Sequence, residues 1–559
     1  MLNWILSRIR SEDVSHPLGS EKAIAAYLAQ VPVLNPGKTL QELGLWLGNP
    51  DRLAAELPPT ALARAVERLD EFAQPAAVLC LDAYLAQKQQ DYAAEQSLRP
   101  LETYFRQAAV ANRLTLDRLL LVFKDPKQRE SNRATLANFA VRAMYALVQE
   151  KKLARFTYRE MEPAWWEGVH QLLYLARDIG VIHYIQPPYP DSPALTSVWR
   201  EYLAGVFLEV APVSNLTPLR LEVTDRLIHR VSEHFLFVDS FSPHTPYRIR
   251  LDGDQGPERC TPDQPSGPTW RHFGAGAAHA QLIRLRATIQ LSKEIPEWLE
   301  SSHADLLDIL DVLQLLIQHW SLTPPRRETE RQKLKRPLLV VNGLQTIRRA
   351  LAASEFAKSG RRLDYEGHIR VLDLQREAGA LPTEVPPPPQ NPAEVLALLE
   401  STGIRSVVEE WDSADVSPGG MGVRFLFRKP WQAIGALVGY RWQDELDWRV
   451  AVIRRLGRSH GVPNGGLSLF PGQPYCAQIQ LMDQEDDSPW SQQPGDAGKS
   501  GLQDAILLSP EHRQLLVPPD TFRPDRRIDL VVGGKRYPVR LAGLQAQGGD
   551  YELVLFRGA

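Results

Sequence analysis

Residues 415–425 read DVSPGGMGVRF, with an acid, a hydroxyl, a proline and three glycines ahead of an apolar run. Asp, Ser, Pro and Gly favour turns for separate steric reasons, so a tight turn leading into a strand is the simplest account. The same residues also make a polar pocket for an anionic, planar ligand. Asp415 can accept hydrogen bonds and Ser417 can donate one. Gly419 and Gly420 let backbone N–H groups approach a ligand that a Cβ would hold off. What surrounds the stretch decides between a plain turn and a site.

Around it lie short apolar runs separated by turn residues: SVVEEWD, GMGVRFLF, AIGALVGYRW, LDWRVAVIRRL and GGLSLF. Short strands with turn chemistry between them predict a barrel. Upstream, SLTPPRRETERQKLKRPLLVV is a basic segment entering a short strand, and LQTIRRALAASEFAKSG has helical spacing. PTEVPPPPQNP (382–392) is a polyproline-like spacer, because consecutive prolines forbid helix. Downstream, QEDDSPWSQQPGDAGKSG has the composition of a second linker. In RRIDLVVGGKRYPVRL the pair Gly533-Gly534 predicts a two-residue hairpin, and DYELVLF supplies a last strand.

The first half has a different texture, helical and rich in Ala and Leu from residue 20 to about 240. Leu136, Phe139, Ala140, Ala143, Met144 and Leu147 recur at helical spacing, a stripe that predicts core. VHQLLYLARDIG repeats the pattern and stops at Gly180, a C-cap candidate. HFLFVDSF and PYRIRLDGD read as strands, GPERCTPDQPSGPTW as a loop, and ADLLDILDVLQLLIQHW as a strongly periodic helix. The expected fold class is multidomain α+β. It has an all-helical domain over 1–190, a mixed α/β region over 191–322, a β-barrel over 323–482 with a helical insertion at 343–404, and a small β module over 500–559.

Composition narrows the function. At 559 residues, 43% hydrophobic and 23% charged, the chain is that of a soluble multidomain protein. A net charge of -3 exerts no global pull toward nucleic acid or membrane, so any anion-binding surface is local. Cys80, Cys260 and Cys476 are far apart and unpaired in sequence, which fits reduced thiols in a cytoplasm. MLNWILSRIR is too short for a signal segment, and no window reaches membrane-spanning length. The histidines lack metal-ligand spacing. RHFGAGAAHAQ places His272 and His279 around two glycines without a nucleotide fingerprint, so no catalytic residue, metal or cofactor is expected. Trp165-Trp166 reads as buried packing at a helix start.

A second stretch bears on the first. RRETER carries Arg326, Arg327 and Arg331, and guanidinium groups grip phosphates bidentately and stack on purines. Together, RRETER and DVSPGGMGVRF resemble the PilZ domain, a small β-barrel that binds cyclic di-GMP through an RxxxR segment and a (D/N)xSxxG segment. The likeness runs over roughly 323–480 and includes the GGLSLF strand. It implies that Arg327 and Arg331 are the paired arginines, Arg326 the extra one before them, and Asp415, Ser417 and Gly420 the second motif. It implies a cyclic di-GMP site, with Gly419 in the turn. Arg331 and Asp415 stand 84 positions apart, further than the family's usual few dozen, which is why 343–404 reads as an insertion between barrel strands. Loop closure grows only logarithmically with length, so a barrel tolerates it.

The resulting expectation is a non-enzymatic cyclic di-GMP receptor that relays binding to a protein partner through its helical half. The alternative is a docking or scaffold protein whose barrel has lost the nucleotide. Nucleic-acid binding through 326–336 is the distant third, because the basic run lacks interleaved aromatic residues for base stacking.

Overall fold

The structure is a computed structural model that describes residues 16–87, 92–192, 194–264, 267–300, 302–322, 331–359, 391–392, 394–397, 407–459, 461–482 and 502–558. Contacts divide the chain into two compact units, Met1–Arg326 and Arg327–Ala559.

In the first unit, side chains fix the helix starts. Asn35 accepts the Lys38 N–H at 3.1 Å ahead of the helix Pro36–Leu47. Ser197 and Thr217 cap Val198–Val210 and Pro218–Val231 in the same way. At the centre is the helix Arg133–Phe156. Of the expected stripe, Leu136, Phe139, Ala140, Ala143 and Met144 are buried and Leu147 is half-buried, and most of the opposite side near the C-terminus is buried too. Its charged residues therefore face acids within the unit. Arg142 reaches Glu71 at 2.7 Å, Lys151 reaches Glu209 at 2.8 Å, and Lys152 lies 3.0 Å from Glu222 and 3.1 Å from Asp225. Lys151 also stands 4.0 Å from the ring centroid of Trp166, so the buried Trp165-Trp166 pair holds a cation.

The helix Pro163–Asp178 stops as expected, with Gly180 at φ +75 and the Val181 N–H returning to the Ala176 carbonyl at 2.9 Å. A four-stranded antiparallel sheet follows, from β1 (Leu236–Val238), β2 (Tyr247–Arg250), β3 (Glu258–Arg259) and β4 (Trp270–Gly274), in the order β1-β4-β2-β3. A single buried cluster runs from Leu18 to Trp320. The division expected at residue 190 has no counterpart in this core. The reason is ionic as well as apolar: Glu209, Glu222 and Asp225, beyond that point, are the partners of Lys151 and Lys152 before it.

The second unit is two closed barrels. The first contains β5 (Gln332–Lys333), β6 (Pro337–Asn342), β7 (Glu409–Ser417), β8 (Gly420–Arg424), β9 (Leu437–Trp442), β10 (Arg449–Ser459) and β11 (Val462–Leu469). Its order is β5-β7-β6-β9-β10-β11-β8, and pairing of β7 with β8 closes the ring. β6 pairs directly with β7, Leu338 opposite Trp411. The two ends of the chain between them are thus held on adjacent strands. Its described part includes the helix Leu344–Lys358, whereas 382–390 of the polyproline spacer lie outside the described residues.

The second barrel closes in the order β12-β13-β14-β17-β16-β15. Its strands are β12 (Tyr475–Leu481), β13 (Gln503–Ser509), β14 (Gln514–Val517), β15 (Arg527–Val532), β16 (Lys535–Gln547) and β17 (Glu552–Gly558). The turn at Gly533 and Gly534 has φ +55 and +79, as a two-residue hairpin requires. β12 falls inside the range expected for the first barrel, but Tyr475 pairs with Leu507 of β13. The stretch 483–501, whose composition suggested a linker, therefore joins two paired strands of one barrel. The helix Leu344–Lys358 packs between the barrels. Leu344, Ile347 and Leu351 share a core with Leu437 and Trp448 of the first and Ile506, Leu516 and Leu553 of the second. Asp550 accepts the Leu344 N–H at 2.8 Å and satisfies the start of that helix.

The buried ion pairs carry a pH signature. Burial alone would raise the Glu209 carboxyl, but Lys151 and Arg155 beside it hold it down to about 2, against an ordinary value of 4.5. The unfolded chain takes up this proton first as pH falls. The stabilisation is therefore full above about 4.5 and lost on descent to about 2, and is on the order of a few kcal/mol. Melting of the far-UV dichroism of the full chain should lose stability across that window. Glu209→Gln should flatten the loss, and an identical acid limb in the variant would contradict the assignment.

Candidate ligand site on the first barrel

The two stretches singled out in the sequence meet on β5, β7 and β8. β5 pairs with β7 so that Lys333 stands opposite Asp415 and Gln332 opposite Val416. That register brings Arg331, just before β5, against the Asp415 carboxylate, with Nη1 donating to Oδ1 at 2.5 Å across 84 positions of sequence. The pair is partly exposed, at 21% for Arg331 and 30% for Asp415, so it remains open to solvent and to a ligand. Asp415 Oδ1 also accepts the backbone N–H of Gly422 at 3.2 Å. A bulge between Ser413 and Asp415 sets this aim, because Ser413 is fully buried while Asp415, past the bulge, is half-exposed.

Ser417 pairs with Gly420 across the turn, and its hydroxyl donates to the Gly420 carbonyl at 3.1 Å. A Cβ on Gly420 would sit 3.2 Å from the Leu467 carbonyl oxygen and 3.7 Å from Arg331 Nη2. Gly419 is exposed at the turn with open space where its Cβ would be. The position missed from the sequence is Gly422. A Cβ there would stand 2.9 Å from both carboxylate oxygens of Asp415, so only glycine leaves the carboxylate its seat. The signal was present in the repeat of glycine two positions apart in GMGVRF, where a side chain is absent from one face of a strand.

Arg326 and Arg327 lie outside the described residues. Of the remaining basic run, Arg336 is engaged locally, 2.5 Å from Asp444 and 3.1 Å from Glu445, with its guanidinium 4.6 Å from the Trp442 ring centroid. Such a neutralised arginine adds little to a nucleic-acid surface. The GAG stretch at 274–276 runs from the last residue of β4 to the start of the helix Ala277–Ser292. Its glycines are nevertheless filled by the protein's own backbone. A Cβ on Gly274 would be 2.0 Å from the His244 carbonyl oxygen, and one on Gly276 3.1 Å from that of His234. His272 faces Cys260 Sγ at 3.6 Å, and His279 donates to the Ile317 carbonyl at 3.0 Å. Among the described residues no helix is long and apolar enough to cross a membrane.

Comparison with known families bears on the other unit. Residues 22–240 match the family described as Cyclic-di-GMP receptor FimW, N-terminal domain. The matched stretch takes in the helices from Glu21–Leu28 to Pro218–Val231 and ends just after β1. Comparisons with curated proteins and with solved structures give no match.

Because Arg331 and Asp415 are partly exposed, their pairing contributes little to folding, up to about 1 kcal/mol. Arg331→Ala and Asp415→Ala should each shift urea unfolding by no more than that. A loss of several kcal/mol would mean that the pair is structural.

Proposed function

We propose that the chain is a cyclic di-GMP receptor whose ligand sits on the outside of the first barrel, a barrel of the PilZ type. The observation that carries this is the Arg331–Asp415 contact, which joins the two motif stretches in one polar, half-exposed place. Cyclic di-GMP offers two phosphates and two guanines. It calls for cations, an acceptor for the guanine N1–H and exocyclic amine, and close backbone approach. Arg331, with Arg326 and Arg327 from the same segment, supplies the cations. Asp415 supplies the acceptor, Ser417 a hydroxyl for a phosphate oxygen, and Gly419 and Gly420 the close approach. The family match to residues 22–240 supports the same ligand from a separate part of the chain.

Retention of both motif stretches favours a receptor over a docking protein that has lost its ligand. In this proposal the helical half passes the binding event to a protein partner, and the receptor works in the cytoplasm without catalysis or a cofactor.

Titration of the full chain with cyclic di-GMP by calorimetry tests the reading. Truncating an arginine that makes charge-assisted contacts costs about 1.5–3 kcal/mol, so Arg331→Ala and Asp415→Ala should each weaken binding at least about tenfold. Raising salt should weaken the wild type more than Arg331→Ala, since part of the attraction is screened. No binding by the wild type at high micromolar ligand would leave the docking reading in its place.

A further inference from the structure

One row of residues crosses five strands of the first barrel. Arg455 of β10 stands opposite Gly466 of β11, Gly466 opposite Gly422 of β8, Gly422 opposite Asp415 of β7, and Asp415 opposite Lys333 of β5. Paired residues in register project from the same face of a sheet, so these belong to one face. Two adjacent glycines at the middle of a row remove the side chains that would otherwise stand up from it. Long side chains can then lie flat across the strands.

Both neighbours do so. The Asp415 carboxylate covers Gly422, 2.9 Å from where a Cβ would be. The Arg455 guanidinium covers Gly466, with Nε 2.8 Å and Nη2 3.1 Å from the corresponding point. Gly422 and Gly466 are buried beneath these groups, while Arg455 itself is half-exposed. The acid thus has Arg331 against it from the β5 side, and Arg455 lies over the neighbouring strand on the other. The guanidinium lies over β11 and the carboxylate over the neighbouring β8, strands about 4.8 Å apart. The two glycines let an acid and a cation lie side by side across the strands, with Arg331 beyond the acid, a row that suits a ligand with phosphates for the cations and a guanine edge for the acid.

We propose that Arg455 is a further ligand-binding residue, forming the far wall of the site. Its guanidinium meets the second phosphate or the second guanine face of the dinucleotide whose first half Arg331 and Asp415 hold. This rests on the receptor reading above, and extends it from the two motif stretches to β10 and β11. The physical reason for arginine is its flat guanidinium, which can lie on a glycine floor and still donate from its edge.

The test is calorimetric titration of the full chain with cyclic di-GMP, for the wild type and four variants. Arg455→Ala should bind about tenfold more weakly, comparable to Arg331→Ala. Gly466→Ala keeps the charge but pushes the guanidinium off the row, and should lose affinity in the same direction. Arg454→Ala removes an exposed cation one position away, and should bind within about twofold of the wild type. That outcome separates a specific contact from general attraction. If Arg331→Ala weakens binding while Arg455→Ala binds as the wild type does, the proposal is overturned and the receptor reading stands. Equal losses in Arg454→Ala and Arg455→Ala would also overturn it. If the wild type itself does not bind, the receptor reading falls and this extension falls with it.

Discussion

Closure of the first barrel through the β7–β8 hairpin is the constraint on which the site depends. β8 is short, yet it pairs with β7 on one side and β11 on the other, so it ties the ends of the ring together. The hairpin that achieves closure is also the one that carries Asp415, Ser417, Gly420 and Gly422. Sheet closure removes free edges, and it also fixes where the Asp415 carboxylate stands. β5 then needs only two residues of pairing to bring Arg331 against it. The long excursion between β6 and β7 does not disturb this, because its ends are held by neighbouring strands.

The first unit shows a different kind of constraint. Its central helix is surrounded, so lysines and an arginine along it are enclosed and matched by acids from three other helices: Arg142 with Glu71, Lys151 with Glu209, and Lys152 with Glu222 and Asp225. Buried pairs of this kind need not stabilise relative to apolar packing, but losing one partner leaves an uncompensated charge, which costs about 3–5 kcal/mol. They therefore specify which helices meet. The family match ends at residue 240, just past the last of these acids.

Much of the architecture was legible in the sequence. Helical spacing identified the central stripe of Arg133–Phe156, Gly180 marked a helix end, and Gly533-Gly534 marked a hairpin, each because a local steric rule governs the position. Domain limits were less legible. The segment 483–501 has linker composition but joins two strands paired within one barrel, because composition reports solvation and not which strands pair. One core spans the limit drawn at 190, and the ions on its two sides are paired in space, while the sequence shows only scattered charges on helices. Of the candidate site, Asp415 and Arg331 were legible as motif residues, and their contact needed the fold. Gly422 left only the trace of two glycines two positions apart, and the Arg455 row left none, since both arise from the register of β8, β10 and β11.

The central claim is that the barrel, and not the helical unit, holds the nucleotide. Hydrogen–deuterium exchange of the full chain with and without saturating cyclic di-GMP addresses it directly, because contact with a ligand slows local opening of the backbone. The account predicts slowed exchange in 331–336 and 415–424, with smaller effects elsewhere. Slowing confined to 22–240, with 415–424 unchanged, would contradict it.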